Sequence, residues 1–494
     1  MPTAAPIAAP ADRGRLANAA LLRSAAYVDG RWIEADPATA IAVDDPFTGN
    51  VVGHIPSLAA AHIDSAIAAA DRAFGPWAAQ PAKARGVLLR RWLELIERDK
   101  EDLARLITLE NGKPIKEARA EVGYGAQFLE FYAEEAGRVG GEIIASPTPG
   151  RRLMVEREPI GVCAAITPWN FPMAMLTRKV APALAAGCTV IAKPASQTPL
   201  TTLALAVLAE EAGLPPGVLN VITGKASMIG ERLTSSPVVR KISFTGSTEV
   251  GARLMADSAA TIKRLSLELG GNAPLLIFDD ADLQTAVETA MVAKFRNSGQ
   301  SCIAANRIYA QKGIHDAFVA AFADRVRALK LGDGFDETVD IGPLIDAKGV
   351  AKVDEHLNDA LAGGAELMAG GPAKDDRLTP PTLLSGVRRD ALLTREETFG
   401  PLAGVIAFDG MDDGLAMAND TPFGLAAYLC STNPATIARA SRGIESGMVG
   451  INTGLISTAV APFGGVKQSG LGREGSSHGL DEYLNLKYLC HAGL

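Results

Sequence analysis

Cysteine is scarce in this chain, with 5 residues among 494, and the five are widely scattered. An odd, dispersed set of this kind excludes a disulfide framework and indicates a reducing compartment, so we expect a cytoplasmic protein. No apolar run approaches the roughly 20 residues that a membrane-spanning helix needs, and a membrane partner is therefore excluded. The start of the chain also lacks a basic region followed by a continuous apolar stretch, so no secretory signal is expected.

The N-terminal segment is rich in alanine and poor in residues that build a core. We expect residues 1–26 to form a flexible tail. A transit peptide is the alternative, because Arg13, Arg15 and Arg23 are spaced through this alanine-rich segment. Asp12 and the early prolines count against that alternative.

Basic clusters and histidine pairs are also missing. The net charge is −8 and no Lys/Arg cluster stands out to neutralise phosphates, so nucleic acid is excluded as a partner. The six histidines have no spacing that suggests a metal site or a Cys–His pair. The composition, 48% hydrophobic and 21% charged, is that of an ordinary globular protein, and the length favours two or three domains of about 150 residues each.

The apolar pattern changes along the chain from helical to alternating. Ile63, Ile67, Ala70 and Phe74 recur at helical spacing behind Ser57, which we expect to be the N-cap. From about residue 159, strand-length apolar runs alternate with helix-length segments such as 199–211 and 248–257. The runs are 162–166, 189–192, 218–222, 241–244 and 275–278. This alternation predicts a doubly wound parallel sheet, and a second alternating block over about 306–450 predicts a second α/β domain.

Ligands of open α/β sheets bind outside the carboxyl ends of the strands, so the residues that follow these runs are candidates for a site. Asn170 follows the first run between two prolines and could donate its amide to an oxyanion; the alternative is that it closes an Asx turn. Lys193 follows the second run. The turn 245–251 opens a helix and offers free N–H groups to a pyrophosphate, although a G-x-G-x-x-G fingerprint is absent.

Glu268 interrupts a strand-like run and is followed by two glycines. A carboxylate in apolar surroundings has its neutral form favoured, which suits a general base that works near neutral pH. The commoner alternative for such a residue is an acid in a salt bridge at the end of a strand.

Cys302 ends a small polar turn, Asn297-Ser298-Gly299-Gln300-Ser301-Cys302, whereas Cys163 and Cys188 lie in apolar runs typical of a core. The turn offers backbone N–H groups and little apolar cover, so we expect a partly exposed thiol with a lowered pKa. An inert loop cysteine is the alternative. If Cys302 is a nucleophile, its base must be a carboxylate, because no histidine is placed to serve.

These residues lie in motifs that together resemble the aldehyde dehydrogenase superfamily, from about residue 27 to the C-terminus. The motifs are Pro168-Trp169-Asn170-Phe171-Pro172, Lys193-Pro194-Ala195, Phe244-Thr245-Gly246-Ser247, Leu267-Glu268-Leu269-Gly270-Gly271, Gly299-Gln300-Ser301-Cys302, Glu397-Thr398-Phe399-Gly400-Pro401 and Pro462-Phe463-Gly464-Gly465.

The resemblance implies an α/β fold of two doubly wound domains plus a small β arm for oligomerisation. The cofactor-binding, Rossmann-like domain would comprise residues 27–138 and 159–268, and the catalytic domain residues 269–475. The arm would comprise residues 139–158 and 476–494 and would pair with another subunit in a homodimer or homotetramer.

The resemblance also implies a role for each site residue. Cys302 would attack the aldehyde, Asn170 would hold the oxyanion and Glu268 would activate water to hydrolyse the thioester. Glu474 matches a family acid assigned to a proton path, and a structural ion pair is its alternative. The residues implied to bind NAD or NADP are Thr167, Pro168, Trp169, Lys193, Ser196, Gly246, Ser247, Glu397 and Phe399.

Within the superfamily, the segments 452–457 and 461–475 are most similar to the succinate-semialdehyde dehydrogenases. Arg178, Arg296 and Ser457 match the residues that bind the substrate carboxylate there, and a guanidinium suits a carboxylate because it presents a planar fork of donors. The expected reaction is oxidation of succinate semialdehyde to succinate. Oxidation of a longer ω-semialdehyde such as glutarate semialdehyde, a broad-specificity aldehyde dehydrogenase and a non-catalytic protein on the same fold are the alternatives.

Two departures from relatives carry consequences. The position two residues after the nucleophile is Ala304 instead of a second cysteine, so no redox disulfide is expected there. Ser196 follows Lys-Pro-Ala where many NAD-selective relatives carry a glutamate that repels a 2′-phosphate. We therefore expect NADP to be accepted and preferred over NAD, and no metal to be required.

Overall fold

The computed structural model describes residues 13–493. The helices are α1 Ala60–Ala78, α2 Ala82–Arg98, α3 Lys100–Asn111, α4 Ile115–Glu135, α5 Ala174–Ala186, α6 Leu200–Glu211, α7 Ala226–Ser235, α8 Thr248–Ser258, α9 Leu283–Phe295, α10 His315–Arg327, α11 Ala347–Ala362, α12 Leu392–Arg395, α13 Met411–Asn419, α14 Pro434–Gly443 and α15 Ser476–Asp481. Within the described part of the chain, no helix combines the length and the apolar character that a membrane crossing requires.

The strands are β1 Ala25–Val28, β2 Arg31–Glu34, β3 Ile41–Asp44, β4 Val51–Ile55, β5 Glu142–Ile144, β6 Arg151–Pro159, β7 Val162–Ile166, β8 Thr189–Lys193, β9 Leu219–Val221, β10 Val239–Thr245, β11 Arg264–Glu268, β12 Ala273–Ile277, β13 Ala305–Gln311, β14 Glu366–Ala369, β15 Thr382–Ser385, β16 Leu402–Phe408, β17 Ala426–Cys430, β18 Met448–Ile451, β19 Gly470–Leu471 and β20 Leu484–Ala492.

The first sheet has eight strands in the order β19-β11-β10-β7-β8-β9-β1-β2. Its five central strands, β11 to β9, are parallel, and the flanking strands are antiparallel. Alternate residues of β7 enter opposite cores, with Cys163 on one face and Val162 and Ala164 on the other. The chain direction across the sheet reverses between β7 and β10, which is the switch point where open α/β sheets bind ligands.

The second sheet has seven strands in the order β14-β15-β16-β13-β12-β17-β18, all parallel except for β14. Leu275 and Leu276 of β12 face opposite cores, so helices cover this sheet on both faces as well. The predicted fold class, two doubly wound α/β domains, is confirmed. The run at 275–278, however, was expected to continue the first block, and it pairs instead with β13 and β17 of the second sheet.

A separate three-stranded sheet, β20-β6-β5, is formed by the segments expected to make the arm. Strand β20 pairs with β6 along its whole length, from Leu484 opposite Pro159 to Ala492 opposite Arg151. The short strand β19, which falls within the predicted catalytic segment, instead adds to the first sheet beside β11.

Two local expectations are wrong. Helix α1 begins at Ala60 without a side-chain cap, because the preceding segment is tied to the first sheet by the Leu58 N–H, which donates to the Thr223 carbonyl at 3.1 Å. Ser57 is therefore not the N-cap.

The described part of the expected tail, residues 13–26, is packed against the protein, and residues 1–12 lie outside the described residues. Arg13 forms ion pairs with Asp45 and Asp333, and its guanidinium lies over the rings of Phe47 and Phe335 at 5.2 and 4.9 Å. The segment 13–26 is thus fixed by long-range ionic contacts that no local pattern reveals.

Candidate active site

A cleft with a cavity volume of about 230 Å³ brings together most of the residues singled out from the sequence. The predicted residues that line it are Pro168, Trp169, Asn170, Arg178, Gly246, Ser247, Arg296, Cys302, Glu397, Phe399 and Ser457. Five others, Thr167, Lys193, Ser196, Glu268 and Glu474, do not line this cleft. Its walls come from both large sheets.

The turn before Cys302 has an unusual backbone. Asn297 and Ser298 have φ of 53° and 55°, and Gly299 continues in the same left-handed region at 73°. Consecutive left-handed residues without glycine are disfavoured and persist only where surrounding contacts hold them. Here the Glu117 carboxylate accepts the Asn297 N–H at 2.8 Å, and the Ser298 hydroxyl donates to the Gly342 carbonyl at 3.0 Å.

The expectation that the pKa of the Cys302 thiol is lowered is wrong. The residue is half-buried, and burial raises the pKa of its thiol to about 12. Burial is the largest cause of this rise and the Glu397 and Glu268 carboxylates contribute to it, while Arg178 and the Cys302 backbone N–H oppose it. The polar turn seen in the sequence supplies too little opposing charge, and the protonated thiol is favoured in the absence of ligand.

Glu268 is the last residue of β11 and is 2% exposed. Among the described residues, neither carboxylate oxygen has a hydrogen-bond partner. Burial raises the pKa of this carboxyl well above its usual range and Glu474 raises it further, whereas Arg178, Lys179 and Arg473 lower it. The geometry is that of a desolvated acid and not of the salt-bridged acid considered as the alternative.

Asn170 is tied to the turn that carries the thiol. Its Nδ2 donates to the Gln300 carbonyl at 3.1 Å, and its own carbonyl accepts from Asn297 Nδ2 at 2.9 Å. Its side-chain hydrogen bond therefore reaches across the cleft and does not close an Asx turn. The Asn170 amide lies next to Cys302, where an oxyanion would form.

A buried ion pair holds the backbone carbonyl of Asn170 in place. Lys113 Nζ bonds to Glu121 at 2.5 Å and donates to the Asn170 carbonyl at 2.8 Å, while lying 4.0 Å from the centre of the Phe171 ring. Glu121 in turn accepts the N–H groups of Met173 and Ala174 at the start of α5. The Lys113–Glu121 pair thereby anchors both Asn170 and the start of α5, the helix that carries Arg178.

The switch point of the first sheet fits a dinucleotide. Ser247 caps α8 and accepts the Val250 N–H at 3.4 Å, so the positive end of α8 faces the cleft. A Cβ on Gly246 would lie 2.4 Å from Phe244 Cζ, so only glycine keeps this turn close. Thr167 Oγ1 is buried with no partner among the described residues, and burial alone lowers the pKa of Lys193 to about 8. Such unsatisfied groups suit ribose and phosphate oxygens.

Glu397 and Phe399 bound another side of the cleft. Glu397 accepts the Gly271 N–H at 3.2 Å, and burial raises the pKa of its carboxyl to about 7. Phe399, at φ 54°, packs edge-on against Trp169 with ring centres 5.4 Å apart. A bulky residue held in the left-handed region indicates a position that the surrounding structure fixes. Ser196 is half-exposed just beyond Lys193.

The two candidate substrate arginines differ in their surroundings. Arg178 is buried, with Nε 3.1 Å from Glu474 Oε2 and its guanidinium 4.0 Å from the Phe463 ring centre. Glu474 also pairs with Lys179, so the ion pair considered as its alternative role is present. Arg296 is half-buried over Phe171 at 5.1 Å, and no carboxylate of the described residues forms a salt bridge with it.

Several residues of the site carry no signal in a single sequence. Lys113, Glu121 and Tyr124 belong to the α3–α4 region, in which no motif of the family resemblance falls. Only tertiary packing brings Tyr124 into the lining of the cleft and the Lys113–Glu121 pair against Asn170. Buried polar residues on the apolar face of α4 were the one cue available. Phe171 and Phe463 lie inside motifs but were assigned no role.

Comparison with known proteins agrees with this geometry. Residues 32–489 match the aldehyde dehydrogenase family. The chain is 53% identical to a glutarate-semialdehyde dehydrogenase of Pseudomonas aeruginosa, over 97% of this chain and all of that protein. It is 52% identical to an NADP(+) succinate-semialdehyde dehydrogenase of Escherichia coli, over 96% and 99% of the two chains.

A solved structure of an aldehyde dehydrogenase from Brucella melitensis biovar abortus superposes with a TM-score of 0.96 at 56% identity, covering 97% of this chain and 99% of that one. The family match spans both large sheets, and the similarity of sequence and structure is close to full length on both sides. The chain therefore belongs to the aldehyde dehydrogenase family and is an enzyme that oxidises aldehydes with NAD(P).

Proposed function

We propose that the substrate is succinate semialdehyde, which the enzyme oxidises to succinate. The observation that carries this proposal is the lining of one cleft by a nucleophile candidate, Cys302, and by two arginines and a serine, Arg178, Arg296 and Ser457. A four-carbon chain with an aldehyde at one end and a carboxylate at the other would place one group on the thiol and the other on the cations.

The chemistry is assigned to residues as follows. Cys302 first gives its thiol proton to the Glu268 carboxylate, which passes it to solvent. The thiolate then attacks the aldehyde carbon and gives a thiohemiacetal whose oxyanion is held by Asn170 Nδ2 and the Cys302 N–H. Bound NAD(P) supplies the acceptor for the hydride that leaves this carbon. Glu268 then takes a proton from the water that hydrolyses the thioester, and its raised pKa suits a base that works near neutral pH. The remaining residues position these groups.

The acid Glu474 is assigned a structural role in this scheme. It offsets the charges of Arg178 and Lys179 while raising the pKa of Glu268. The proton-path role implied by the resemblance needs a continuous donor chain, and the ion pairs by themselves supply none.

The proposed cofactor is NADP in preference to NAD. Lys193 and Glu397 would hold ribose hydroxyls, the Gly246–Ser247 turn the pyrophosphate, and Thr167, Pro168, Trp169 and Phe399 the walls. Ser196, half-exposed, offers a hydroxyl where an acid would repel a 2′-phosphate. The E. coli relative named for NADP(+) supports the same preference.

Glutarate semialdehyde is the second candidate substrate, favoured by the similarity to the Pseudomonas aeruginosa enzyme named for it. One methylene changes discrimination by only about 1 to 3 kcal/mol, so both substrates fit the same anion site. A broad-specificity aldehyde dehydrogenase would not require the arginines.

We further propose that residues 27–138 and 159–268 bind the cofactor, that residues 269–475 form the catalytic domain, and that the three-stranded sheet with residues 476–494 is an oligomerisation arm. Ile143, Leu486 and Tyr488 on the arm are 79%, 69% and 60% exposed. Large apolar side chains with this exposure are typical of a surface that pairs with another chain, here a second copy in a homodimer or homotetramer.

The test is kcat/KM for succinate semialdehyde, glutarate semialdehyde and butanal, each with NADP and with NAD, followed by absorbance of the reduced cofactor. The proposal predicts the highest value for succinate semialdehyde with NADP. Comparable values for butanal would contradict the proposed anion site and indicate a broad-specificity aldehyde dehydrogenase.

A further inference from the structure

Tyr124 is a cleft residue that no sequence motif marks. It lies on α4, lines the same cleft as Cys302, and is 9% exposed. Its ring packs edge-on against Phe128 with centres 5.1 Å apart, which fixes the direction of the hydroxyl.

The hydroxyl of Tyr124 is already engaged as an acceptor. Arg178 Nη2 donates to it at 3.0 Å. A phenol has a single donor proton besides its acceptor lone pairs, and with one lone pair turned toward the guanidinium, the proton is free for another partner. Within residues 13–493 no acceptor receives that proton. A donor polarised by a cation and unused inside the protein is suited to an anion in the cleft.

The charge of Arg178 is partly offset inside the protein by Glu474, which also pairs with Lys179. Arg178 Nε lies 3.1 Å from Glu474 Oε2, both side chains are at most 4% exposed, and the centre of the guanidinium lies 4.0 Å from the Phe463 ring centre. A guanidinium whose charge is partly offset by a buried carboxylate contributes less net charge to a ligand. Arg296 has no such partner among the described residues and is half-buried at the cleft, so it is the cation that faces a ligand directly.

We infer that Tyr124 determines specificity by donating a hydrogen bond from its hydroxyl to the distal carboxylate of the substrate. Arg178 orients the Tyr124 hydroxyl, and Arg296 supplies the net positive charge. This inference rests on the proposed function, because it requires a substrate with a distal anion. It changes the assignment of Arg178, which becomes a positioning residue that orients and polarises Tyr124.

The test is Tyr124→Phe, which keeps the ring and its packing on Phe128. KM for succinate semialdehyde should rise about tenfold, the size expected for a lost hydrogen bond to a charged group, with kcat nearly unchanged and butanal kinetics within twofold. The inhibition constant of succinate, as a competing anion, should weaken by the same factor. Tyr309→Phe, which removes a hydroxyl bonded to the Met417 carbonyl at 3.4 Å, is the control that should leave both values unchanged.

Each other outcome overturns the inference in a distinguishable way. A wild type that does not prefer succinate semialdehyde over butanal overturns the proposed function and this inference with it. A wild type with that preference and an unchanged Tyr124→Phe variant overturns this inference alone, as does an equal loss for both aldehydes. If Tyr124→Phe does not fold, Tyr124→His is the second variant, because it retains a hydrogen-bond donor. The assignment is supported if the KM for succinate semialdehyde rises no more than the KM for butanal. A tenfold rise for succinate semialdehyde alone contradicts it.

Discussion

At the scale of single residues, burial favours the protonated forms of the Cys302 thiol and of two acids, Glu268 and Glu397. Burial raises the pKa of Cys302 to about 12 and raises that of Glu268 above its usual range. The motifs in the sequence identified both residues, yet they gave the wrong direction for the thiol. The pKa depends on desolvation and on acids more than 30 residues away along the chain, and neither is visible in the local turn.

The first prediction concerns pH. In the proposed mechanism the deprotonated forms of Cys302 and Glu268 react, and a raised pKa moves each deprotonation to higher pH. We expect kcat/KM for succinate semialdehyde to rise steadily from pH 6 to pH 9 in a buffer of constant ionic strength. A profile that is flat or falls over this range would contradict the assigned protonation states.

The second prediction concerns the nucleophile. Cys302→Ala should abolish aldehyde oxidation, because no other side chain in the cleft can form the thioester. Cofactor binding should persist and can be measured by quenching of tryptophan fluorescence, since Trp169 lines the cleft. Cys490→Ala removes an exposed thiol on the arm and serves as the control, with activity unchanged. Turnover that survives Cys302→Ala would refute the mechanism.

At the scale of elements, the sequence located strands well and their partners poorly. Apolar runs predicted β7 at its observed bounds and β8, β10 and β12 within two residues of theirs, because a fully buried parallel strand is a continuous apolar run. The start of α1 and the sheet to which β12 belongs depend on hydrogen bonds to distant segments, which periodicity does not encode. The anchoring of α5 by α4 was missed for the same reason.

The third prediction tests that anchor. Lys113→Met should lower the free energy of unfolding by about 3 to 5 kcal/mol, because Glu121 is left as an unpaired buried charge. Arg119→Met, which breaks an exposed pair between Arg119 of α4 and Glu101 of α3, should cost less than about 1 kcal/mol. Thermal unfolding midpoints measure both.

The double variant Lys113→Met/Glu121→Gln separates folding from positioning. It removes the unpaired charge of Glu121 and should regain most of the lost free energy of unfolding. The kcat should stay low, because the Asn170 carbonyl has lost the Lys113 donor. Full recovery of kcat would show that the pair does not position Asn170.

At the scale of the whole molecule, two doubly wound sheets face one cleft, and a separate antiparallel sheet projects exposed apolar side chains. The family resemblance anticipated this plan, since its motifs lie in the segments that form both large sheets. It did not anticipate the packing of residues 13–26, where Arg13 forms ion pairs with both Asp45, which follows β3, and Asp333.

The fourth prediction concerns assembly. Leu486→Asp should reduce the molar mass measured by light scattering after size-exclusion chromatography, because it introduces a charge into the apolar surface proposed to pair with a second copy. Val87→Asp alters an equally apolar side chain, 50% exposed on α2, and should leave the mass unchanged. A monomeric wild type would refute the proposed role of the arm.

The close approach of two backbones at Gly299 limits how the sequence of this enzyme can vary. A Cβ at position 299 would lie 2.2 Å from the Gly400 carbonyl oxygen, in the residue that follows Phe399. The loop that carries the proposed nucleophile and the loop proposed to hold the nicotinamide are therefore too close for any side chain at position 299. A substitution library at positions 297–299 should return glycine alone at the last position and mainly Gly, Asn, Asp or Ser at the first two. A larger residue in one loop is tolerated only when the other loop shifts, so substitutions in the two loops depend on each other.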